Sequence, residues 1–255
     1  MIQAQRAFEQ AVESISSGIK SYVNPADSYV ATGLDTSIRS ARQAISNAET
    51  GYNFTAIADS TLESVTGNLQ RIRELSLQAA NGIYSQEQIS AMQTEIDQNV
   101  EQIRQTFENS DFNGKQTIKA VTPEDPSVAP VANFMVGSNS TEMISYDPNI
   151  ELGSMNFNVS TPEAAAGTLA QVDTMLNNIG SKRGEIGAVQ TSFEGAIQQQ
   201  SSTIMSYASS LSDIQDTDYI TAISELQKAK FSMEAMGKVM KAVMNSQRYV
   251  LDLLP

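Results

Sequence analysis

The chain has 255 residues, enough for one large domain or two small ones, and 40% of them are apolar. It contains no Cys and no His, which excludes disulfide frameworks, thiol nucleophiles, His-dependent triads and the usual zinc sites, so no cofactor is expected. The formal net charge of −13 argues against nucleic acid as a partner, and the lack of a long apolar run argues against a membrane.

The N-terminal half of the chain carries two helical patterns. Apolar residues recur at three- and four-residue spacing over 38–52 and, after a shift of phase, over 62–72. Asn81-Gly82 predicts a left-handed turn at the end of this helix, and Ser85 with Gln88 predicts a capping box for the next one. We expect that second helix to end near Asn109.

The middle of the chain has a different character. Five of the seven prolines fall between residues 120 and 163. Short β-prone runs at 133–137, 142–146 and 155–159 are separated by turn residues. This pattern predicts a small set of antiparallel β-hairpins.

A long helix is predicted over 164–214. Its apolar positions step alternately by three and four residues for more than six heptads, which is typical of a narrow coiled-coil seam. Gly180, Gly184, Gly187 and Gly195 weaken the helix propensity, so a bend or break is allowed there. The positions expected to pack in the bundle are Leu169, Val172, Leu176, Ile179, Ile186, Phe193 and Ile197.

The C-terminal stretch repeats this seam. Asp216 and Asp218 stand where an N-cap and first-turn acids belong. Methionine recurs along the stripe, and its flexible thioether suits a surface that packs against several neighbours. The positions expected to mediate self-assembly are Leu226, Met233, Met236, Met240, Val243, Val250 and Leu254.

These patterns together predict a mainly α fold, an elongated antiparallel coiled-coil-like helical bundle with a small β-hairpin insert. Terminal helices are expected in 1–36 and 215–255, the helical bundle in 37–119 and 164–214, and the insert in 120–163. A narrow apolar seam buries too little surface to order a helix alone, so we expect neighbouring copies to order the terminal segments. Repeated seams on rod-like subunits suit open helical polymers.

Several segments are similar to motifs of the bacterial flagellin family. Each motif is weak by itself, but their order and spacing at both ends of the chain are specific. The resemblance covers residues 3–119 and 164–255. The matching segments are Ile15–Gly18, Leu69–Gly82, Asp111–Gly114, Lys182–Gln190, Asp216–Tyr219 and Val250–Leu254.

The resemblance implies a structural subunit of the extracellular bacterial flagellar filament, which serves swimming motility and is not an enzyme. It implies that the chain is exported unfolded and assembles through its terminal helices, which form the inner tube of the filament. The implied partners are further copies of the chain, a flagellar export chaperone and hook-associated proteins. Because the middle segment is short, we expect a core flagellin without the variable outer domains.

Two further expectations come from the family. Recognition by the innate flagellin receptor of animals is implied for the positions that match here, Arg71, Leu75 and Glu95. Flagellins usually have a further stretch before the position of Gln3. We therefore expect either a start upstream of this sequence or a divergent secreted relative that polymerises poorly.

Three alternative functions are open at this point. A secreted flagellin-like effector that does not polymerise would share the helical pattern. A junction protein between hook and filament would share the terminal motifs. A cytoplasmic signalling coiled coil would also have long heptads, but it would not explain the proline-rich insert.

Overall fold

The computed structural model describes residues 2–20, 24–137 and 141–251, and most of them are helical. The prediction of a mainly α bundle with a small β insert is confirmed. The residues group into two compact units, a terminal unit of Met1–Arg39 and Thr203–Pro255 and a central unit of Ser40–Ser202. In chain order the elements are α1 (Ile2–Ser17), α2 (Pro25–Ala79), α3 (Gln86–Glu108), β1 (Asp111–Phe112), β2 (Lys115–Gln116), β3 (Lys119–Val121), β4 (Ala132–Met135), β5 (Met143–Tyr146), β6 (Asn149–Glu151), α4 (Pro162–Gln215) and α5 (Tyr219–Leu251).

The predicted signals at the ends of α2 and α3 are present in the structure. Gly82 adopts the left-handed conformation with φ of 63° just after α2. Ser85 and Gln88 form the capping box, in which the Ser85 N–H donates to Gln88 Oε1 at 2.9 Å. Helix α3 ends at Glu108, with Asn109 as its C-cap.

Helices α2 and α4 run without a break for 55 and 54 residues. The break that the glycines of α4 allowed is absent, because α4 is one continuous helix. A Cβ added at Gly180, Gly184 or Gly187 would meet no atom within 4 Å, so these glycines face open space. Buried Ile179 and Ile186 lie on the packed side of the same turns. Tertiary packing on that side therefore outweighs the low helix propensity of glycine.

In the central unit, α3 packs antiparallel to α2. Near the end of α2, Arg71 Nε donates to Glu95 Oε1 at 2.7 Å. Further back along α2, the Thr61 hydroxyl donates to the Ser110 hydroxyl oxygen at 2.9 Å. The pairing thus runs in opposite directions along the two helices.

Helix α4 packs against α2 in the same antiparallel sense. Arg73 Nε donates to Asp173 Oδ1 at 2.7 Å, and Arg183 donates to both carboxylate oxygens of Asp59 at 2.7 and 3.2 Å. The two contacts fix the register of the helices at both ends of this stretch. Along this side, α2 buries one residue every three or four positions: Ala58, Leu62, Val65, Leu69, Ile72, Leu75 and Ala79.

The six short strands between α3 and α4 form two antiparallel pairs and one parallel pair. Strands β1 and β2 form a hairpin in which Asn113 and Gly114 have φ of 52° and 74°, as a two-residue type I′ turn requires. Strands β4 and β5 pair antiparallel, from Ala132 opposite Tyr146 to Met135 opposite Met143. Strands β3 and β6 pair parallel, joined by a long connection that contains the β4–β5 hairpin, so the prediction of antiparallel hairpins alone is wrong.

The strand predicted over 155–159 is also wrong. The Gln93 side chain donates to the Phe157 carbonyl at 2.9 Å and accepts from the Val159 N–H at 2.9 Å. The Thr168 hydroxyl donates to the carbonyl of Asn158 and accepts from its N–H. Side chains of α3 and α4 thus take the backbone groups that a neighbouring strand would have used.

An aromatic cluster joins the insert to α2 and α4. The Phe54 ring lies 5.7 to 6.2 Å from the rings of Phe112, Phe134 and Tyr146, measured between centroids. The Phe134 ring meets Phe193 of α4 edge-on at 5.4 Å. These contacts hold the β4–β5 hairpin against the helices.

The aromatic cluster leaves no space for a side chain at Gly51 of α2. A Cβ there would lie 2.5 Å from Cε1 of Phe193 and 3.0 Å from Cγ of Phe134. We expect Gly51→Ala to lower the free energy of unfolding by about 1–3 kcal/mol, because the buried rings must shift. Gly67, in the same helix, meets no atom within 4 Å, so Gly67→Ala should raise stability by about 0.5–1 kcal/mol. Urea denaturation of both variants measures the difference, and equal effects would contradict the assigned packing.

Candidate assembly interface

In the terminal unit, α1 packs antiparallel against α5. The C-terminal end of α1 meets the start of α5, where Ile19 forms an antiparallel bridge with Asp216. The contact surface is built from alanines seven residues apart, which lie on one face of each helix. Small side chains let two helices approach closely. The buried alanines are Ala4 and Ala11 of α1 and Ala222 and Ala229 of α5.

The chain segment after α1 holds the junction between α4 and α5. Gly18 has φ of 72°, and its carbonyl accepts from the Thr217 N–H at 2.9 Å. The Lys20 ammonium donates to the carbonyls of Asp213 and Ile214 at 3.2 and 2.9 Å. A cation at the C-terminal end of α4 satisfies carbonyls that have no helical partner and opposes the negative end of the helix dipole.

Asp218 caps the N-terminus of α5. Its Oδ1 accepts from the N–H groups of Ile220 and Thr221 at 3.0 and 3.3 Å, and its Oδ2 accepts from the Thr221 hydroxyl at 2.9 Å. The Thr221 hydroxyl, and then the two backbone N–H groups, lower the pKa of Asp218 below its usual value. The expected N-cap role of this residue thus matches its contacts.

Beyond its contact with α1, helix α5 exposes a continuous apolar surface. Past Ala229, none of the α5 side chains that the structure describes is buried. Within the described ranges, no helix combines the length and hydrophobicity needed to cross a membrane. The exposed residues, called the α5 stripe below, are Met236 (39%), Val239 (62%), Met240 (49%), Val243 (51%) and Met244 (61%).

The expected self-assembly residues lie at different depths. Leu226 and Met233 are half-buried, while Met236, Met240 and Val243 belong to the α5 stripe. The Val250 side chain and the whole of Leu254 lie outside the described residues. The seam pattern missed five exposed apolar residues of α5 that do not fit its spacing, and their hydrophobicity alone would have indicated them. They are Ile220, Ile223, Phe231, Val239 and Met244.

The expected bundle residues all lie on the packed side of α4. The fully buried ones are Val172, Ile179, Ile186 and Phe193, and the partly buried ones are Leu169, Leu176 and Ile197. The sequence pattern missed a second buried row that faces the insert. There, Thr168 bonds the Asn158 backbone, and the Lys182 ammonium lies 5.7 Å from the centroid of the Tyr146 ring.

The three expected receptor positions are not equivalent. Arg71 and Glu95 form an ion pair at 2.7 Å, and both side chains are more than 40% exposed. Arg71 also contacts Glu74 at 3.2 Å. The Leu75 side chain is 3% exposed and belongs to the core of the central unit. Only the two charged residues are therefore presented on the surface.

A helical protein with an exposed apolar helix face belongs to the class of proteins that bind another molecule through that face. The sequence matches two profiles of one family, the bacterial flagellin N-terminal helical region over residues 1–122 and the bacterial flagellin C-terminal helical region over residues 169–254. This chain belongs to the bacterial flagellin family.

Individual relatives agree with this assignment. The chain is 26% identical to the flagellar filament 30.7 kDa core protein of Treponema maltophilum, over 95% of this chain and 90% of the relative. It is 27% identical to the flagellar filament 33 kDa core protein of Treponema phagedenis, over 97% and 92% of the two chains. A solved structure assigned to a flagellar hook-associated protein of Vibrio parahaemolyticus shares the fold, with a TM-score of 0.57, 16% identity and coverage of 74% of this chain and 100% of that one.

The lowered pKa of Asp218 gives the start of α5 a defined pH dependence. A carboxylate with a depressed pKa stabilises the fold above its unfolded pKa, near 4, and this contribution is lost as the pH falls through the lower folded pKa. We expect the amide proton shifts of Ile220 and Thr221 to titrate below pH 4 in an NMR experiment on the full chain. Asp218→Asn should remove that titration while keeping a cap, and Glu225→Gln, further along α5, should leave it unchanged. A titration that persists in Asp218→Asn would contradict the assignment.

Proposed function

We propose that this flagellin, a structural subunit of the extracellular bacterial flagellar filament, polymerises through α1 and α5, with the α5 stripe packed against neighbouring copies. The single observation that carries the proposal is the run of exposed apolar residues from Met236 to Met244. Association with hook-associated proteins at the ends of the filament follows from the same family membership.

The energetics support polymerisation through this face. Fully burying one large apolar side chain contributes about 1.5–3 kcal/mol, so a neighbour that covers several members of the stripe gains a substantial free energy. Ala222 and Ala229 of α5 are buried, whereas the members of the α5 stripe are 39% to 62% exposed. This exposed apolar face supports a contact with another molecule.

Two of the alternative functions are less well supported. A secreted effector that does not polymerise would leave the α5 stripe in water without a use for it. A hook–filament junction protein has weaker support, because the near full-length relatives described above are named as filament core proteins.

Polymerisation should fail when the α5 stripe becomes charged. We expect Val239→Glu/Val243→Glu to abolish filaments, because two carboxylates would have to be buried at the contact. The thermal unfolding of the monomer should be unchanged, since both side chains are exposed. Sedimentation and electron microscopy of the purified chain measure the loss.

Ser224→Glu/Gln227→Glu is the matched control for this double variant. It adds the same two charges to α5 at exposed polar positions, so it separates loss of apolar contact from the effect of net charge. Filaments from Val239→Glu/Val243→Glu in wild-type yield would overturn the proposal.

The proposal extends to a flagellar export chaperone. Five exposed apolar residues on one helix favour premature association inside the cell. A chaperone that covers the α5 stripe before export would prevent it. Such a partner would bind the same surface that later meets neighbouring subunits.

We also propose that the animal innate flagellin receptor contacts Arg71 and Glu95, whose ion pair is exposed on the central unit. Arg71→Asp should weaken receptor binding in a direct binding assay, because it reverses the charge at the contact. Arg73→Asp is the matched control, since it breaks a similarly exposed ion pair with Asp173 on the same helix. Equal binding by both variants and the wild type would exclude this contact.

A further inference from the structure

The α5 stripe contains three methionines whose thioether groups are exposed to solvent. Met236, Met240 and Met244 follow one another at four-residue spacing, so their side chains lie along one face of α5. They are 39%, 49% and 61% exposed. At a rise of about 1.5 Å per residue, the three thioethers are spread over roughly 12 Å of helix.

We propose that these three methionines are a site of reversible oxidation by peroxide, and that their oxidation blocks polymerisation. The inference rests on the proposed function, in which the α5 stripe is the assembly face. Exposure supports the reaction, because a thioether must be reached by the oxidant. By contrast, Met175 and Met155 are only 2% and 8% exposed.

The reaction is balanced with hydrogen peroxide as the oxidant. The thioether sulfur attacks one peroxide oxygen, the O–O bond breaks, and a sulfoxide and one molecule of water result. Sulfur is oxidised by two electrons and the peroxide is reduced by two. A methionine sulfoxide reductase supplied with a dithiol reverses the change: the dithiol is oxidised to a disulfide, the S=O bond breaks, water leaves and the thioether is restored.

The consequence for assembly follows from the polarity of the product. A thioether packs as a flexible apolar group, whereas a sulfoxide carries a strong hydrogen-bond acceptor. Burying that acceptor without a donor is unfavourable, so each sulfoxide weakens the subunit contact. Chains already in the polymer hide the stripe and escape the reaction, so the site acts on subunits that have not yet assembled.

The test treats the purified full-length chain with hydrogen peroxide and maps the sulfoxides by peptide mass spectrometry. Met236, Met240 and Met244 should oxidise well before Met155 and Met175, and they should be protected in preformed polymer. The concentration needed for polymerisation should rise at least about tenfold, and treatment with sulfoxide reductases should restore it.

Two variants make the test specific. Met236→Leu/Met240→Leu/Met244→Leu keeps an apolar stripe, so it should polymerise normally and remain insensitive to peroxide. Met135→Leu/Met143→Leu removes the exposed methionine pair of the β4–β5 hairpin and should leave the sensitivity of the wild type unchanged.

Two results would overturn the inference, namely oxidised wild-type chains that polymerise as well as untreated ones, or a triple Leu variant as sensitive as the wild type. The Val239→Glu/Val243→Glu chain then shows whether the α5 stripe is the assembly face at all. If that variant polymerises, the proposed function is wrong as well. If it does not, only the oxidation step is wrong.

Discussion

The antiparallel packing of α2 against α4 is the interaction on which the central unit depends. The buried residues of both helices repeat at three- and four-residue spacing, so a long stretch of each helix contributes to one continuous core. Apolar seams of this kind tolerate sliding, and the ion pairs Arg73–Asp173 and Arg183–Asp59 set one register. Helix α3 and the insert pack against the surface that α2 and α4 form in this register.

Capping and turn residues in the sequence predicted where helices and hairpins end. They could not predict contacts between segments that are far apart in the chain. The capping box at Ser85 and the turn at Asn113-Gly114 depend on residues within four positions of each other, so the sequence alone indicates them. Burial of Lys182 depends on Tyr146, which is far away in the chain. A lysine in the middle of a helix predicts a solvated position, and only the fold shows that it lies over an aromatic ring.

The sequence predicted that α5 has an apolar face, because the spacing of apolar residues can be read from the sequence. It could not predict how much of that face is buried within the chain. Which part of that helix is buried in the described residues depends on its contact with Ala4 and Ala11 of α1, which lie far away in the chain. The difference between half-buried Leu226 and exposed Met240 therefore comes from the partner helix and not from the stripe itself.

The segment around Asn158 is held in place by hydrogen bonds from Gln93 and Thr168 to its main chain. These hydrogen bonds are made to backbone N–H and carbonyl groups, which are the same for nearly every amino acid. The hydrogen bonds from Gln93 and Thr168 therefore do not depend on which side chains stand at positions 157 to 159. A substitution at exposed Asn158 would keep both anchors and would lose only the bond that its own side chain accepts from the Ser160 N–H.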